Sequence, residues 1–576
     1  MFDSLKHSPT NPRMRKRFLL SGYGRGNVAQ IQSNHLRELQ WQALRSLHYG
    51  NYALDHQQLI LGFDEFRDTP TFLNRNGMNS HVFFGAGTGA GKTTLVTNYN
   101  VQLILQARLA LTLGETPHSL VMLDLKPDLI MLKILKHFCE SQPYDGLYLT
   151  PLPFKWTLIG NHTEPTMVMN PFGQRSFYEK LLPYQQGSFH AMAANLKQDP
   201  VYGESWFAAS LHEICCLMPV LNPNINSFRD LLTYRRMSNE QLAASLRIDK
   251  ADVPAMKHFL YIISQMARPP IFQPSFRQPY GVSKDALDNQ IDIGDVFKES
   301  QFVYFALDAK LEEENARMAA SYVLSSLDFA SKYTPGPTLQ VYCSVDESDN
   351  LAKLRNMKSW LARIRSSGVS LFLIAQSLAQ FDEDARQIVL SSTGVKIMLE
   401  ANDLLTQEAI QMYCGTEMRW KHSESVSFKT DEWGEDMIES GFSRTETEEP
   451  TITANDILRV GYRQDLGFLA VHRNIAKSYS GIPDRAHIFR RSHCVSQAEW
   501  EAFDQMEIPR APGTFVPAEH PDLIRDPTFE DAPIVVTSNS NGKSNGRSKR
   551  KKRQTTPPDI DAVKLLEERL GLNSDD

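Results

Sequence analysis

A chain of 576 residues is longer than one compact core usually holds, so two globular domains plus tails are expected. Apolar residues at 41% and charged residues at 22% are ordinary for a soluble globular protein. A net charge of −6 excludes a uniformly basic surface, so any nucleic-acid contact must use a local patch such as a channel lining. The six cysteines, Cys139, Cys215, Cys216, Cys343, Cys414 and Cys494, form no CxxC pair and no zinc spacing, which points to reduced thiols in a cytosolic protein. The N-terminus lacks the apolar stretch of a signal peptide. No segment reaches the roughly 18 apolar residues of a membrane span. The best candidate, Leu103 to Leu113, is short and holds Arg108. A cytoplasmic chain is therefore expected, with any contact to the inner membrane made through partners.

Residues 1–75 read as an N-terminal segment leading into the fold, with one helix from Asn34 to Leu47. Strand and helix signals then alternate. His81 to Phe84 is a short apolar strand, Thr93 to Leu113 a helix, and Ser119 to Leu125 a second buried strand. From Phe172 to about Pro279 amphipathic stretches take over: Glu204 to Met218, Ser227 to Arg236, Asn239 to Arg247 and Val253 to Arg268. Ser238 and Gln241 have capping-box spacing there. Strands return at Phe302 to Leu307, Leu339 to Val345, Val369 to Ala375 and Gly394 to Leu399. Asp431 to Glu449 is acidic and polar and reads as a mobile surface loop, and Gly467 to Val471 as a last strand.

The expected class is α/β, with a parallel sheet covered on both faces. The nucleotide-binding domain is expected to comprise 76–171 and 281–480, with an all-helical insertion at 172–280. A disordered tail is expected over 510–576.

The strongest signal is GAGTGAGKTT, Gly85 to Thr94, which has P-loop spacing between a strand and a helix. Its first glycine position holds Ala86. Gly87, Gly89 and Gly91 let backbone amides crowd around a phosphate, with Thr88 and Ala90 between them. Lys92 can reach the β- and γ-phosphates of ATP, the Thr93 hydroxyl can ligate Mg²⁺, and Thr94 completes the motif. A second strand delivers Asp346 and Glu347 at its C-terminal end, the Walker B arrangement. Asp346 would hold Mg²⁺ through water, and Glu347 would activate the attacking water. Gln376, at the tip of the strand Val369 to Ala375, lies where parallel sheets bind ligands and would sense the γ-phosphate.

The order of P-loop, DLKPDL (Asp124 to Leu129), MNPF (Met169 to Phe172), SW (Ser205–Trp206), VDESDNLAKL (Val345 to Leu354) and RIRSSGVSLFLIAQSLAQ (Arg363 to Gln380) resembles the type IV coupling proteins. These belong to the FtsK–HerA group of RecA-like motors. The resemblance spans roughly 75–475. It implies a hexamer with ATP at subunit interfaces, DNA in a central channel, and an arginine finger that falls on Arg365, with Arg363 the alternative. It also implies relaxosome or adaptor partners and a membrane channel component. Family members usually begin with membrane-spanning helices, and this chain shows none. The leading expectation is an ATP-driven DNA translocase serving conjugation or type IV secretion. A HerA-like motor in DNA processing or defence, and an ATP-regulated platform for protein substrates, are the rival readings. In the tail, a basic run from Lys543 to Arg553 precedes an amphipathic segment, Asp559 to Leu572, expected to hold nucleic acid and to dock on a partner protein.

Overall fold

A computed structural model describes residues 58 to 506 with breaks, the longest at 194–226, 273–289 and 472–485. The helices expected at Asn34 to Leu47 and Asp559 to Leu572, the pair Ser205–Trp206 and the basic run of the tail lie outside the described residues.

The strands are β1 (Gln58–Asp64), β2 (Pro70–Asn74), β3 (Val82–Gly85), β4 (His118–Asp124), β5 (Lys155–Ile159), β6 (Gln301–Ala306) and β7 (Gln340–Val345). They continue with β8 (Val369–Ala375), β9 (Val395–Met398), β10 (Thr416–Thr430), β11 (Asp436–Pro450), β12 (Leu466–Val471) and β13 (Ala486–Arg491). The main helices are α1 (Lys92–Leu113), α2 (Leu129–Glu140), α3 (Pro183–Ala193), α4 (Asn239–Leu246), α5 (Glu313–Tyr333), α6 (Asn356–Arg363), α7 (Glu383–Ser392), α8 (Leu404–Cys414) and α9 (Gln497–Asp504). Eleven strands form one sheet in the order β2-β1-β13-β12-β9-β3-β8-β7-β4-β6-β5. The seven from β9 to β5 are all parallel, and the four at the other end are antiparallel.

Period-two alternation splits the parallel strands between two cores. Leu371, Leu373 and Ala375 of β8, with Val121 and Leu123 of β4, face one core, which α5, α6, α7 and α8 cover through Val323, Trp360, Val389 and Ile410. Phe372 and Ile374, with Leu120 and Met122, face the other, covered by α1 and α2 through Val96, Tyr99, Leu103 and Leu135. Each fully buried Val, Leu, Ile, Phe or Met among them contributes about 1.5–3 kcal/mol. This two-sided burial is why the strands read as continuous apolar runs. The sheet also takes in β1, β2, β5 and β13, segments where the sequence shows no clear strand signal.

Asp431 to Glu449 departs from expectation. β10 and β11 pair along their whole length, from Thr416↔Pro450 to Thr430↔Asp436, as a separate two-stranded ribbon. At ~3.4 Å per residue its 15-residue strands extend roughly 50 Å. Met418 and Phe442 on it are 57% and 77% exposed. The side chains described from Gly441 to Pro450 are exposed or half-buried, so they need no alternation of buried and exposed residues, and their Glu, Ser and Thr read as loop.

Two buried histidines tie elements together. His81, at φ +55°, accepts a hydrogen bond at Nδ1 from Leu371 N–H (2.9 Å), and its Nε2–H donates to Leu361 O (3.1 Å), so it braces β3, β8 and the end of α6. His190 of α3 lies between the Tyr178 hydroxyl (2.9 Å) and the Tyr322 hydroxyl of α5 (3.3 Å). Burial lowers the pKa of His81 to about 4 and that of His190 to about 3. Both folded values lie below the unfolded 6.5, so the unfolded chain takes up protons first as pH falls. Their stabilisation is complete above pH 6.5 and is lost downward toward the folded values. Urea unfolding should show about 2 kcal/mol less stability per histidine at pH 5 than at pH 7. His190→Gln should reduce that pH dependence, and an undiminished dependence would contradict the assignment.

Candidate nucleotide site

The loop from Ala86 to Gly91 joins β3 to α1 at the C-terminal edge of the parallel strands, where such sheets bind ligands. Gly89 and Gly91 take φ of +82° and +84°, conformations that side chains disfavour, and Gly91 caps the helix. Ala90 N–H donates to Gly87 O and Leu95 N–H to Gly91 O, both at 3.1 Å, which turns the chain directly into α1. Ala86 is buried, and its N–H donates to Ala375 O at 3.1 Å, so alanine at this position fits against β8. Thr88 lies outside the described residues, while Thr93 and Thr94 are half-buried in the first turn of α1.

β8 lies between β3 and β7, so three strand ends converge on this loop. Lys92 Nζ is 3.0 Å from Asp346 Oδ1 and 2.9 Å from Glu347 Oε1. Gln376, directly after β8, donates through Nε2 to Glu347 Oε1 (3.1 Å) and Oε2 (3.2 Å). The backbone that delivers the carboxylates is pinned from both sides. Asp346 N–H donates to Leu123 O (2.9 Å), and Ser348 N–H to Ile374 O (2.8 Å). Between these anchors Glu347 has φ +51°, an uncommon conformation for a side-chain-bearing residue that costs of order 1–3 kcal/mol. Such strain persists where surrounding bonds over-determine it, and here it aims the carboxylate at Lys92.

Burial raises the Glu347 carboxyl, but the charge and hydrogen bond of Lys92, with donation from Gln376, hold it below its ordinary value. Asp346 is more deeply buried and titrates above its ordinary value despite Lys92. Burial works against the Lys92 ammonium, and the two carboxylates raise it nevertheless. Asp349, one turn on, is pushed up to about 6 by burial and by Glu347. At the end of β4, buried Asp124 accepts from the Tyr304 hydroxyl and from Lys126 N–H (2.9 Å).

Arg363 and Arg365 stand elsewhere. Arg363 ends α6, Arg365 follows in a short 3₁₀ turn before β8, and both are exposed. β8 runs its full seven residues from this turn to Gln376, roughly 20 Å at ~3.3 Å per residue. Within one chain, therefore, Lys92, Asp346, Glu347 and Gln376 come together and the arginines do not. One neighbour of the loop escapes sequence reasoning. Arg491, the last residue of β13, donates from Nη1 to Ala90 O at 2.9 Å and to Gly91 O at 3.4 Å. An arginine 400 positions away in sequence, beside Arg490 in β13, carries no motif that announces it.

The fold is that of a RecA-like P-loop protein. Residues 340–461 match the family described as the TraM recognition site of TraD and TraG. The bacterial conjugative coupling protein TrwB, in its unbound form, shares the fold at 12% identity and a TM-score of 0.51, over 79% of this chain and 93% of that one. Another TrwB structure, in complex with the GTP analogue GDPNP, aligns at 13% identity and TM-score 0.49, over 82% and 94%. VirB4 of Thermoanaerobacter pseudethanolicus aligns at 14% identity and TM-score 0.38, over 62% and 87%. No curated protein sequence matches the chain. Residues 340–461 thus match the TraD/TraG-type family region, and the chain shares its fold with a conjugative coupling protein. Among the described residues no helix is long and apolar enough to cross a membrane.

Proposed function

We propose that this protein is an ATP-hydrolysing ring motor, most simply a hexamer, that delivers DNA or a nucleoprotein to a conjugative or type IV secretion channel. The observation that carries the reading is the convergence of Lys92, Asp346, Glu347 and Gln376 at one end of β3, β7 and β8, with Arg363 and Arg365 at the other end. A site so divided supports hydrolysis between subunits, with Arg365 reaching a neighbour's nucleotide. The loop amides and Lys92 bind the phosphates. Thr93 and Asp346 offer hard oxygen donors, the one or two protein ligands that Mg²⁺ takes beside phosphates. The ion neutralises phosphate charge when bound. Glu347 orients the attacking water and takes its proton, while Gln376, hydrogen-bonded to Glu347, senses the γ-phosphate.

The same reading assigns the nucleotide-binding domain to 76–171 and 281–480 and an all-helical insertion to 172–280. β5 and β6 pair directly in register although some 140 residues separate them in sequence, which supports an excursion from the sheet between the two. The tail, 510–576, is assigned to partner docking. Partners of the relaxosome or adaptor kind suit the family match, and a membrane channel component would hold the motor at the cytoplasmic face of the inner membrane. ATP turnover measured alone and with single- or double-stranded DNA tests the proposal. DNA should stimulate turnover, and the protein should displace a roadblock directionally. Turnover indifferent to both DNAs, with no displacement, would favour the recruitment-platform reading.

A further inference from the structure

Arg491 is 4% exposed, and β13 holds its backbone in the sheet opposite Gly62 of β1. A buried guanidinium needs compensation. Here two carbonyls of the phosphate loop, Ala90 O and Gly91 O, supply part of it at 2.9 and 3.4 Å. These two oxygens matter because of what lies across their peptide planes. In a trans peptide the carbonyl of one residue and the N–H of the next point in opposite directions. Fixing Ala90 O from behind therefore aims Gly91 N–H away from Arg491, and fixing Gly91 O does the same for Lys92 N–H. Both amides belong to the first-turn donors that a helix leaves unsatisfied, the ones that bind anions.

Gly91 is fitted to this contact. A Cβ there would lie 2.3 Å from Arg491 Nη1, and its φ of +84° already favours glycine. Hydrogen bonding at the carbonyls also polarises the two peptides and strengthens their N–H donors. The guanidinium adds a fixed positive charge behind the loop.

We propose that Arg491 is a positioning residue for phosphate binding: from β13 it holds the Ala90 and Gly91 carbonyls so that the following amides face the nucleotide. The proposal rests on the nucleotide-site reading above. It predicts an effect on binding, separate from chemistry, because Glu347 and Gln376 stand on other strands.

The test uses the full chain with Arg491→Lys and Arg491→Met. Thermal melting without nucleotide, affinity for a fluorescent ADP, and steady-state ATPase kinetics are measured together. Arg491→Lys should melt within a few degrees of the wild type. It should bind fluorescent ADP roughly 10-fold more weakly, as expected for one charged hydrogen-bonding group misplaced. KM for ATP should rise in parallel, with kcat within about twofold, and Arg491→Met should bind more weakly still. A purely structural role would lower the melting temperature and leave the affinity of the folded protein and KM unchanged, and that outcome overturns the proposal. If Arg491→Met does not fold, the affinity and KM of Arg491→Lys decide. Failure of the wild type itself to bind fluorescent ADP would overturn the nucleotide-site reading, and the role of Arg491 with it.

Discussion

Arg365→Ala is expected to stop ATP hydrolysis while leaving nucleotide binding intact. The reason is positional. Arg365 sits in the turn before β8, and Gln376 and Glu347 lie past the far end of that strand, roughly 20 Å away. No rotamer of a single arginine spans that distance inside one chain. In a ring, the same turn can meet the neighbour's phosphate loop. Arginine fingers contribute roughly 10³- to 10⁵-fold in phosphoryl-transfer sites, so the loss should be near complete. Mixing Arg365→Ala with Lys92→Ala subunits should restore part of the activity, because some interfaces then join an intact Lys92 to an intact Arg365. Inactivity of every mixture, despite demonstrated co-assembly, would rule out action across the interface. Arg363→Ala, assayed in parallel, separates the two candidates.

Glu347→Gln should bind ATP and turn it over slowly. The amide can still take a hydrogen bond from Gln376 but cannot accept a proton from water. General bases contribute typically 10²- to 10⁴-fold, which sets the expected fall in kcat. Lys92→Ala should differ by weakening binding itself, since it removes the cation that meets the phosphates. The pH profile adds an independent check. Lys92 and Gln376 keep the Glu347 carboxyl below its ordinary 4.5, so the base stays ionised as pH falls toward that value. In kcat/KM, which reports the free enzyme, the midpoint of the fall due to this group should lie below pH 4.5. Wild-type turnover rates in the Gln variant would remove Glu347 from its assigned role.

The parts of this fold legible in the sequence are those buried on both faces. β8 has the bounds that its apolar run suggests, and β3, β4, β6, β7, β9 and β12 shift by one residue at one or both ends. The loop from Gly85 to Thr94 is legible because its glycines recur at fixed spacing, and Asp346, Glu347 and Gln376 because they come one or two residues after such a strand. The antiparallel wing is harder to read. β1 is interrupted by Gly62, where the pairing with β2 slips between Ile60 and Gly62. β13 ends in two arginines, which resemble a surface turn until Arg491 is seen folded against Ala90. The β10–β11 ribbon reads as a loop because, among its described side chains, those from Gly441 to Pro450 are exposed or half-buried and polar residues suffice there. His81 gives no signal at all, since its two bonds are to backbone atoms some 280 residues away.

The strand order also sets a timetable. β3, which carries the phosphate loop, pairs with β8 on one side and β9 on the other. Those partners begin at Val369 and Val395, about 300 residues later in the chain. At the usual 5–20 residues per second, a ribosome needs roughly 15 to 60 s to supply them. Throughout that interval the apolar VFFG segment of β3 has no neighbour to hydrogen-bond. The nascent chain therefore cannot assemble its nucleotide site early, and a fragment ending before β8 should neither bind ATP nor stay soluble without a chaperone. On the proposed function, competence to bind ATP would report that translation has passed β8, which ends at Ala375.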